Sequence, residues 1–513
     1  MYVSIFLPWL LTIPFLVHSS PDQQPKGLLI NCGSDVKQTV PETGLTYIPD
    51  DGFTFSGNKT SLDAKDLFPI LSTLRYFPDK VARKYCYTFQ AIKGSKYLVR
   101  TIYYYGGFDG GKEPPVFDQI VGGTKWSVVN TTEDYANGLS SYYEIILVAH
   151  IKTLSVCIAR NNQTVSSPFI SAIEVISLDD SMYNSTDFGA YALVTVARSS
   201  FGNEDTISFP EDPYYRLWQP FKDDSTDVVS SQSSIATSEF WNKPPAKAFA
   251  TAITMSTTKK LDVQWPPGLL PSTRYHVSLY FRDDRNSKTN TWRVFSILVN
   301  GKTFYSNLNV TTDGVTVYAP NWPLSGQTLI SLTPDTKSSI APLINAGEIY
   351  QLMPLGGRTL PQDVMAMEEL ARGFDNPPLD WSGDPCLPRE NSWTGVSCSQ
   401  EKMPRIISLQ LTNLGLTGIL APTVSNLTAL HHLWLGDNQI SGSIPEMNSV
   451  DQLETLHLES NNFTGPIPKS LATLQYLREI FLQHNKLDGP IPQELQGRKG
   501  LHILVSPENH LSA

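Results

Sequence analysis

The C-terminal part of the chain consists of one repeated pattern, and this pattern restricts the possible fold more than any other feature. From Leu409 it reads Leu-x-Leu-x-x-Asn-x-Leu-x-Gly-x-Ile-Pro, with copies offset by 24, 23 and 24 residues. Each copy is expected to contribute one short strand with leucines stacked inside and an asparagine amide bonding backbone in the bend. The equivalent positions are Leu409, Leu433, Leu456 and Ile480 for the strand, Leu414, Asn438, Asn461 and Asn485 for the asparagine, and Gly418, Gly442, Gly465 and Gly489 for the glycine. The pattern predicts a solenoid.

This pattern is the leucine-rich-repeat signature, and its Gly-x-Ile-Pro ending resembles the plant extracellular subclass. Four full repeats are followed by a degenerate fifth with Leu504, Asn509 and Leu511, which predicts a short arm. Solenoids of this kind usually hold partners and seldom perform chemistry. The repeats therefore point to recognition.

One outward position lies between the two strand leucines of each repeat, on the predicted concave face. Adjacent strands lie about 4.8 Å apart, so these side chains should form one continuous column suited to partner docking. We define the concave column as Gln410, Trp434, His457 and Phe481. Neighbouring outward positions are expected to hold His432, Thr455 and Glu459 on one side and Glu479 and Gln483 on the other. The alternative is that a sugar at Asn462, or the preceding domains, cover the column.

A fainter duplication spans residues 27–353. The segment Tyr97–Tyr103 corresponds to Tyr275–Phe281 at an offset of 178, which also relates Phe117 to Phe295 and Gly123 to Gly301. A third anchor pairs residues 169–175 with 343–349. Both copies alternate apolar and polar residues without helical periodicity. They predict two β-sandwiches of jelly-roll type.

Several motifs make a family resemblance specific. The chain resembles the plant malectin-like domain, in a first half, a second half and a connector that joins such domains to leucine-rich repeats. The motifs are Arg75–Pro78, Arg83–Thr88, Tyr105–Asp109, Pro114–Asp118 and Pro168–Ser171 in the first half, Asp212–Trp218 in the second, and Trp381–Cys386 in the connector. The resemblance implies a mainly β protein, with tandem malectin-like jelly-roll sandwiches followed by a short leucine-rich-repeat α/β solenoid. It also implies a receptor ectodomain that senses cell-wall carbohydrate or secreted peptides, alongside a membrane receptor kinase.

The predicted domain boundaries follow from these patterns. They are a signal peptide (1–19), the first sandwich (27–180), the second sandwich (188–353), a linker (354–375), a solenoid cap (376–404) and the repeats (405–513). In the linker, residues 363–372 predict a short helix that is capped by Asp363 and ends at Gly373. Met365, Met367 and Leu370 are its apolar residues, and it is expected to pack onto the solenoid cap.

Export is indicated by the apolar run Val3–Val17, which is followed by Ser19 and Ser20. Retention of this run as an anchor is the alternative. Seven glycosylation sequons agree with export: Asn58, Asn130, Asn162, Asn184, Asn309, Asn426 and Asn462. A net charge of −10 without a Lys/Arg run argues against nucleic-acid binding. The sequence has no kinase motifs and ends at Ala513 without a second apolar run, so it predicts a secreted receptor-like protein.

Five cysteines are present in this predicted oxidising context. Cys386 and Cys398 are predicted to form a local disulfide before the first repeat. The pairing of Cys32, Cys86 and Cys157 stays open, with a slight preference for Cys86 with Cys157 because both lie in strand-like runs. No second Cys or His pair stands at zinc-ligand spacing, so no metal and no cofactor are predicted.

A sugar-binding cleft is a further hypothesis. An aromatic strand end runs into a glycine loop in the first sandwich, and such residues can stack on sugars and bond their hydroxyls. The candidates are Tyr104, Tyr105, Phe108, Asp109 and Trp126. The alternative is that these aromatics are core residues, since the strand alternates inward and outward. A carbohydrate-binding wall protein without a signalling role is accordingly the second function hypothesis.

The second sandwich has Phe281–Arg285 at the position of this aromatic loop. Asp283 and Asp284 suggest a polar ligand, calcium, a contact with the first copy or glycoside hydrolysis, and a solvated turn is the preferred interpretation. A glycan-active enzyme is the least favoured function, so the chain is predicted not to be an enzyme. Glu174 and Glu348 occupy equivalent strand positions and are predicted to be structural.

Overall fold

The structure is a computed structural model that describes residues 25–63, 67–231, 235–256, 259–283, 292–336 and 338–512. The predicted signal peptide (1–19) and Asp284 lie outside the described residues. The fold is mainly β, as predicted, with two sandwich-like copies followed by a solenoid. In the described part of the chain, no helix is long and apolar enough to span a membrane.

Within the described residues, the first copy contains thirteen strands and one short α-helix. One sheet has the order β2-β3-β1-β13-β7-β10, a second the order β6-β11-β8-β9, and a third the order β12-β5-β4. The elements are β1 (Gly27–Asn31), β2 (Gln38–Thr39), β3 (Thr46–Pro49), β4 (Asn58–Ser61), β5 (Thr73–Tyr76), β6 (Tyr85–Gln90), β7 (Lys96–Tyr103), β8 (Val116–Val121), β9 (Thr124–Asn130), α1 (Thr132–Ala136), β10 (Ser141–Val148), β11 (Thr153–Arg160), β12 (Phe169–Ile170) and β13 (Ala172–Ser177).

The second copy repeats the pairing order of the main sheets. The order β14-β25-β19-β22 corresponds to β1-β13-β7-β10, and β18-β23-β20-β21 corresponds to β6-β11-β8-β9. The strands are β14 (Tyr191–Phe201), β15 (Gln219–Phe221), β16 (Asp227–Ser230), β17 (Thr251–Thr254), β18 (Leu261–Gln264), β19 (Leu270–Phe281), β20 (Val294–Val299), β21 (Lys302–Asn309), β22 (Val315–Gly326), β23 (Leu329–Pro334), β24 (Leu343–Ile344) and β25 (Ala346–Pro354). The shared topology confirms the duplication.

The two sandwiches are joined by a continuous sheet. Strand β10 of the first copy pairs antiparallel with β14 of the second, with Ile145 opposite Val194 and Ile146 opposite Leu193. The principal sheets of the two copies therefore form one eleven-stranded sheet. We call this junction the seam. Because backbone hydrogen bonds cross the seam, the two copies form one continuous structure and are not independent domains joined by a linker.

Buried ion pairs reinforce the seam. Glu144 pairs with Arg100 of its own copy at 2.8 Å and with Arg198 of the second copy at 2.7 Å. Burial alone would raise the pKa of Glu144, but the two guanidinium groups outweigh it and lower the pKa to about 2. Glu174 bonds Arg100, and Glu348 bonds Arg198 in the second copy. The two equivalent glutamates therefore make structural contacts.

The C-terminal region is a two-sheet solenoid. Strands β26, β27, β29, β31, β33 and β35 form the concave sheet, and β28, β30, β32, β34 and β36 form the other. The elements are α2 (Pro361–Gly373), β26 (Val396–Cys398), β27 (Ile406–Gln410), β28 (Thr417–Ile419), β29 (His432–Trp434), β30 (Gln439–Ser443), β31 (Thr455–His457), β32 (Asn462–Gly465), β33 (Glu479–Phe481), β34 (Lys486–Pro490), β35 (His502–Leu504) and β36 (His510–Ser512).

The asparagines form the predicted ladder inside the bends. Asn461 donates to the carbonyls of Leu435, Leu458 and Glu459, and its own oxygen accepts from the Ile440 N–H. Asn438, Asn485 and Asn509 make equivalent bonds. The degenerate fifth repeat therefore continues the solenoid.

The linker helix α2 was expected to pack on the solenoid cap, and its hydrogen bonds reach the first repeat, where the Thr423 hydroxyl donates to the Ala366 carbonyl. The start of the helix was predicted wrongly. Pro361 is its first residue, and Asp363 lies inside it without capping it. The buried Asp363 carboxylate instead accepts from Arg405 at 3.0 Å and from the Ile406 N–H at 2.8 Å. Met365 is exposed, whereas Met367 and Leu370 enter the solenoid core. An aspartate near a helix start can cap it or reach outward, and here the tertiary partner prevails.

The solenoid cap, residues 376–404, contacts the first sandwich. Lys84 is fully buried and donates to the carbonyls of Asp384 at 2.5 Å and Leu387 at 3.0 Å. The Arg83 N–H donates to the Asp380 carboxylate, and Asn391 donates to the Arg83 carbonyl. These contacts fix the solenoid against the first sandwich.

Two disulfides are present. Cys386 is bonded to Cys398 in the cap, and Cys86 is bonded to Cys157 across β6 and β11. Cys32 is a buried free thiol. Gly383 packs closely against the Cys86–Cys157 disulfide, because a Cβ at this position would fall 2.9 Å from the Cys86 sulfur. The preferred pairing is the one that the structure contains.

Candidate ligand-binding surface

The concave column is an aromatic stack. Trp434 and His457 are nearly parallel, with ring centroids 5.3 Å apart and an interplanar angle of 9°. His457 and Phe481 lie 4.4 Å apart at 20°, and His502 of the fifth repeat meets Phe481 edge-on. All three stacked rings are partly exposed. The parallel strand register brings together residues that are 23 or 24 positions apart in sequence.

Hydrogen bonds hold the rings in this arrangement. The Trp434 indole N–H donates to the Thr455 hydroxyl at 2.7 Å, and His432 exchanges a hydrogen bond with the same hydroxyl at 3.0 Å. His457 lies 3.2 Å from the Glu479 carboxylate. The column is thus preorganised, which lowers the entropy cost of binding a partner.

The residues on the two sides of the column differ from the prediction, because Glu459 and Glu479 lie on the opposite sides from those expected. Strand register aligns His432, Thr455 and Glu479 on one side of the column. Glu459 and Gln483 follow their strands and lie on the other side. The Glu459 carboxylate covers Gly436, since a Cβ at Gly436 would fall 2.5 Å from it. Each side of the column therefore carries one carboxylate.

A groove of about 370 Å³ adjoins the start of the column. We call it the junction groove, because the first sandwich, the cap and the first repeat all contribute to it. It is lined by Arg83, Cys386, Arg389, Ser392, Gly395, Val396, Ser397, Cys398, Gln400 and Gln410. Gln410 belongs to both the groove and the concave column, so the two features form one surface.

Sequence reasoning missed the junction groove. Arg83 and Ser392 stand far apart in the chain, yet the Arg83 guanidinium donates to the Ser392 hydroxyl at 2.9 Å. Arg389 donates to the Ser399 and Glu401 carbonyls and remains exposed. The resemblance of the Arg83–Thr88 motif to a known domain was a signal of importance, but it did not indicate docking.

The sugar that was considered as a cover for the column would be attached elsewhere. Asn462 lies on β32 of the second solenoid sheet, whereas the column lies on the concave sheet. The other six sequon asparagines are exposed, and Asn462 is half-exposed. All seven predicted glycosylation sites are therefore at the surface, and their modification stays a prediction.

The candidate sugar-binding residues do not share one open cleft. Tyr105 is buried and packs on Phe108 and Phe169, and its hydroxyl donates to the Asp109 carboxylate. Trp126 is also buried in this core cluster.

Tyr104 packs in a different core cluster, as the alternation along the strand requires. Among the five candidates, Asp109 is exposed, Tyr104 and Phe108 are half-buried, and Tyr105 and Trp126 are buried. A carbohydrate role for this set stays a prediction, and the burial of its rings favours the core interpretation.

The acidic turn of the second sandwich is partly defined. The Asp283 carboxylate accepts from Arg293 at 2.9 Å, which accounts for one of the two aspartates. Within the described ranges, no group of three His, Cys, Asp or Glu side chains is arranged to hold a metal ion. The arrangement provides a structural ion pair.

Comparison with known proteins identifies the family. A family model for the malectin-like domain matches residues 30–352, which is more than half of the chain. The chain belongs to the malectin-like domain family. A leucine-rich-repeat model also matches residues 452–474. The malectin-like region therefore covers the two sandwiches and their seam.

Curated relatives of this chain are named as receptor-like kinases. A leucine-rich repeat receptor-like serine/threonine-protein kinase of Arabidopsis thaliana is 31% identical over 424 residues, which are 80% of this chain and 48% of the kinase. The chain thus spans about half the length of the curated relatives it matches.

Among solved structures, the ANX2 ectodomain from Arabidopsis thaliana has a TM-score of 0.54 at 16% identity, covering 64% of this chain and 97% of that one. A structure titled as the plant peptide RALF23 in complex with FER and LLG2 has a TM-score of 0.51 at 19% identity, covering 64% and 96%. These likenesses show a shared malectin-like fold.

Proposed function

We propose that this protein is an exported recognition protein that binds a secreted peptide along the concave column and junction groove. The observation that carries the proposal is the aromatic stack of Trp434, His457 and Phe481, which is partly exposed and preorganised. Buried aromatics supply much of the binding energy at interfaces. An extended peptide could cover the column and place one end in the junction groove.

The ring geometry favours a peptide over a sugar at this surface. Both faces of the His457 ring are covered, one by Trp434 and the other by Phe481. A sugar stacks on an open ring face, whereas the column presents ring edges at its centre. Ring edges with flanking hydrogen-bonding groups suit apolar side chains and peptide backbone.

The proposed setting is outside the cell, next to a membrane receptor kinase. Support comes from the similarity to receptor-like kinases and to solved ectodomains. The surface has the features of a binding site, and we propose a role in plant signalling without catalysis by the described region.

Affinity capture tests the proposal directly. The full chain, immobilised, is incubated with plant extracellular fluid and a solubilised plasma-membrane fraction, and bound peptides and kinases are identified by mass spectrometry. The amount of peptide captured by the Trp434→Ala, Phe481→Ala double variant is expected to fall at least tenfold. Equal capture by this variant would contradict binding at the column.

Tyr476→Ala is the matched control, because Tyr476 is an exposed aromatic of the solenoid that lies outside the concave strands. It should capture normally. A glycan array run in parallel separates the two ligand classes. Glycan binding that survives the double variant but is lost with Asp109→Ala would support the carbohydrate alternative instead.

A further inference from the structure

The duplication exposes a second candidate site, because one copy leaves open what the other covers. In the first copy, the two-residue turn between β8 and β9 is covered by the linker and the cap. A Cβ at Gly123 in this turn would fall 2.9 Å from the Leu387 Cβ and 3.1 Å from the Gly357 carbonyl oxygen. The Gly356 N–H donates to the Thr124 hydroxyl at 2.8 Å. A glycine-containing segment of the linker, with Gly357 at a φ of +96°, thus docks on this hairpin.

The equivalent hairpin of the second copy joins β20 and β21. Gly301 corresponds to Gly123 at the offset of 178, and a Cβ there would meet nothing within 4 Å. A groove of about 380 Å³ lies beside this hairpin, with Asn300 and Lys302 on either side of Gly301 in its lining. We call it the hairpin groove, and its lining includes Ser272, Arg274 and Lys302.

Two cations distinguish the hairpin groove from its counterpart. Lys302 stands where the first copy has Thr124, the residue that accepts the Gly356 N–H. Arg274 stands where the first copy has Lys96, which is largely buried and donates to the Asp180 carbonyl. Arg274 and Lys302 are both exposed. Neither forms an ion pair within the part of the chain that the structure describes.

We propose that the hairpin groove binds an extended segment of a partner protein that carries a carboxylate side chain. The first copy supplies a precedent, since it shows a glycine-containing segment seated on the equivalent hairpin. The cations supply the selectivity, because a carboxylate near Lys302 and Arg274 gains charge-assisted hydrogen bonds. This docking site is separate from the concave column, so the protein can hold its ligand and its partner simultaneously.

A peptide derived from the linker provides the probe. Residues 352–361 are synthesised in their own sequence and with Gly356→Asp and Arg358→Asp, which add two carboxylates. Binding to the full chain is measured by fluorescence polarisation at low and physiological salt. The acidic peptide is expected to bind saturably and at least tenfold more tightly than the unchanged peptide.

Variants of the full chain locate the binding. Arg274→Glu with Lys302→Glu should reduce the affinity at least tenfold, and Ser272→Trp should reduce it by filling the groove without changing charge. Lys152→Glu is the matched control, because Lys152 is an exposed lysine of the first copy. Absence of saturable binding, or equal loss in the control, would overturn the proposal.

Sedimentation of the chain alone tests another occupant. If the chain dimerises, and the dimer dissociates on Lys302→Glu, the groove holds a second copy and the proposed partner segment is wrong. A monomer at all concentrations, together with tight acidic-peptide binding, supports the proposal.

Discussion

The seam and the concave face of the solenoid differ in how far their side chains are buried and satisfied by partners within the chain. At the seam, Glu144, Arg100 and Arg198 are fully buried, and each pairs with an oppositely charged group. On the concave face, Trp434 and Phe481 remain partly exposed although each contacts neighbouring rings. Interactions that are completed within the chain give rigidity. Interactions that stay open give a binding surface.

The largest expected effect comes from breaking the seam. Glu144→Ala leaves two buried guanidinium groups short of a partner, which should cost about 3–5 kcal/mol in the free energy of unfolding. Chemical denaturation measures this loss. The exposed Glu204, which pairs with Lys222, is the control, and Glu204→Ala should leave the denaturation midpoint unchanged. Similar midpoints for both variants would show that the seam is no more important than the surface.

A buried polar group of the solenoid should behave like the seam and unlike the concave face. Asn461→Ala leaves three backbone carbonyls and the Ile440 N–H without their amide partner, at an expected cost of about 1–3 kcal/mol. Thermal unfolding of the solenoid transition measures this cost. An unchanged transition would contradict a structural role for the asparagine ladder.

Lys84 should make stability depend on pH. Burial lowers its pKa from 10.5 to about 8, against the opposing effect of Asp384 and Asp380. Between pH 8 and about 10.5 the unfolded chain binds more protons at this residue, so its contribution to stability rises with pH. Relative to Lys84→Met, the wild type should gain about 1.4 kcal/mol per pH unit in this window. Parallel stability curves for the two proteins would refute this assignment.

The smallest stability effect is expected on the concave face. Phe481→Ala removes one stacked ring from a partly exposed site and should cost about 0.5–1.5 kcal/mol. Phe481→Ala should affect peptide capture more than the denaturation midpoint. For Glu144→Ala, the larger effect is expected on the denaturation midpoint. A variant that retains capture but unfolds early would place the column among structural residues.

Much of the fold was predictable because it depends on local periodicity. The repeat spacing predicted the strands of Leu409, Leu433 and Leu456, and the offset of 178 predicted a duplicated β fold. The partner of Asp363 was not predictable, because an aspartate that caps a helix and one that binds a distant arginine such as Arg405 have similar local sequences. The concave column was predictable because parallel strands transmit sequence period directly into spatial neighbourhood.

The sequence by itself determined the period of the solenoid, the duplication and the identity of the column residues, since these follow from the spacing of side chains along each strand. Only the tertiary structure decided that β10 pairs with β14, that Lys84 is buried under the connector, and that Gly123 is covered while Gly301 is open. These contacts join residues far apart in the chain. They depend on which surfaces pack together once the strands have formed, and the spacing of residues along the sequence does not determine that packing.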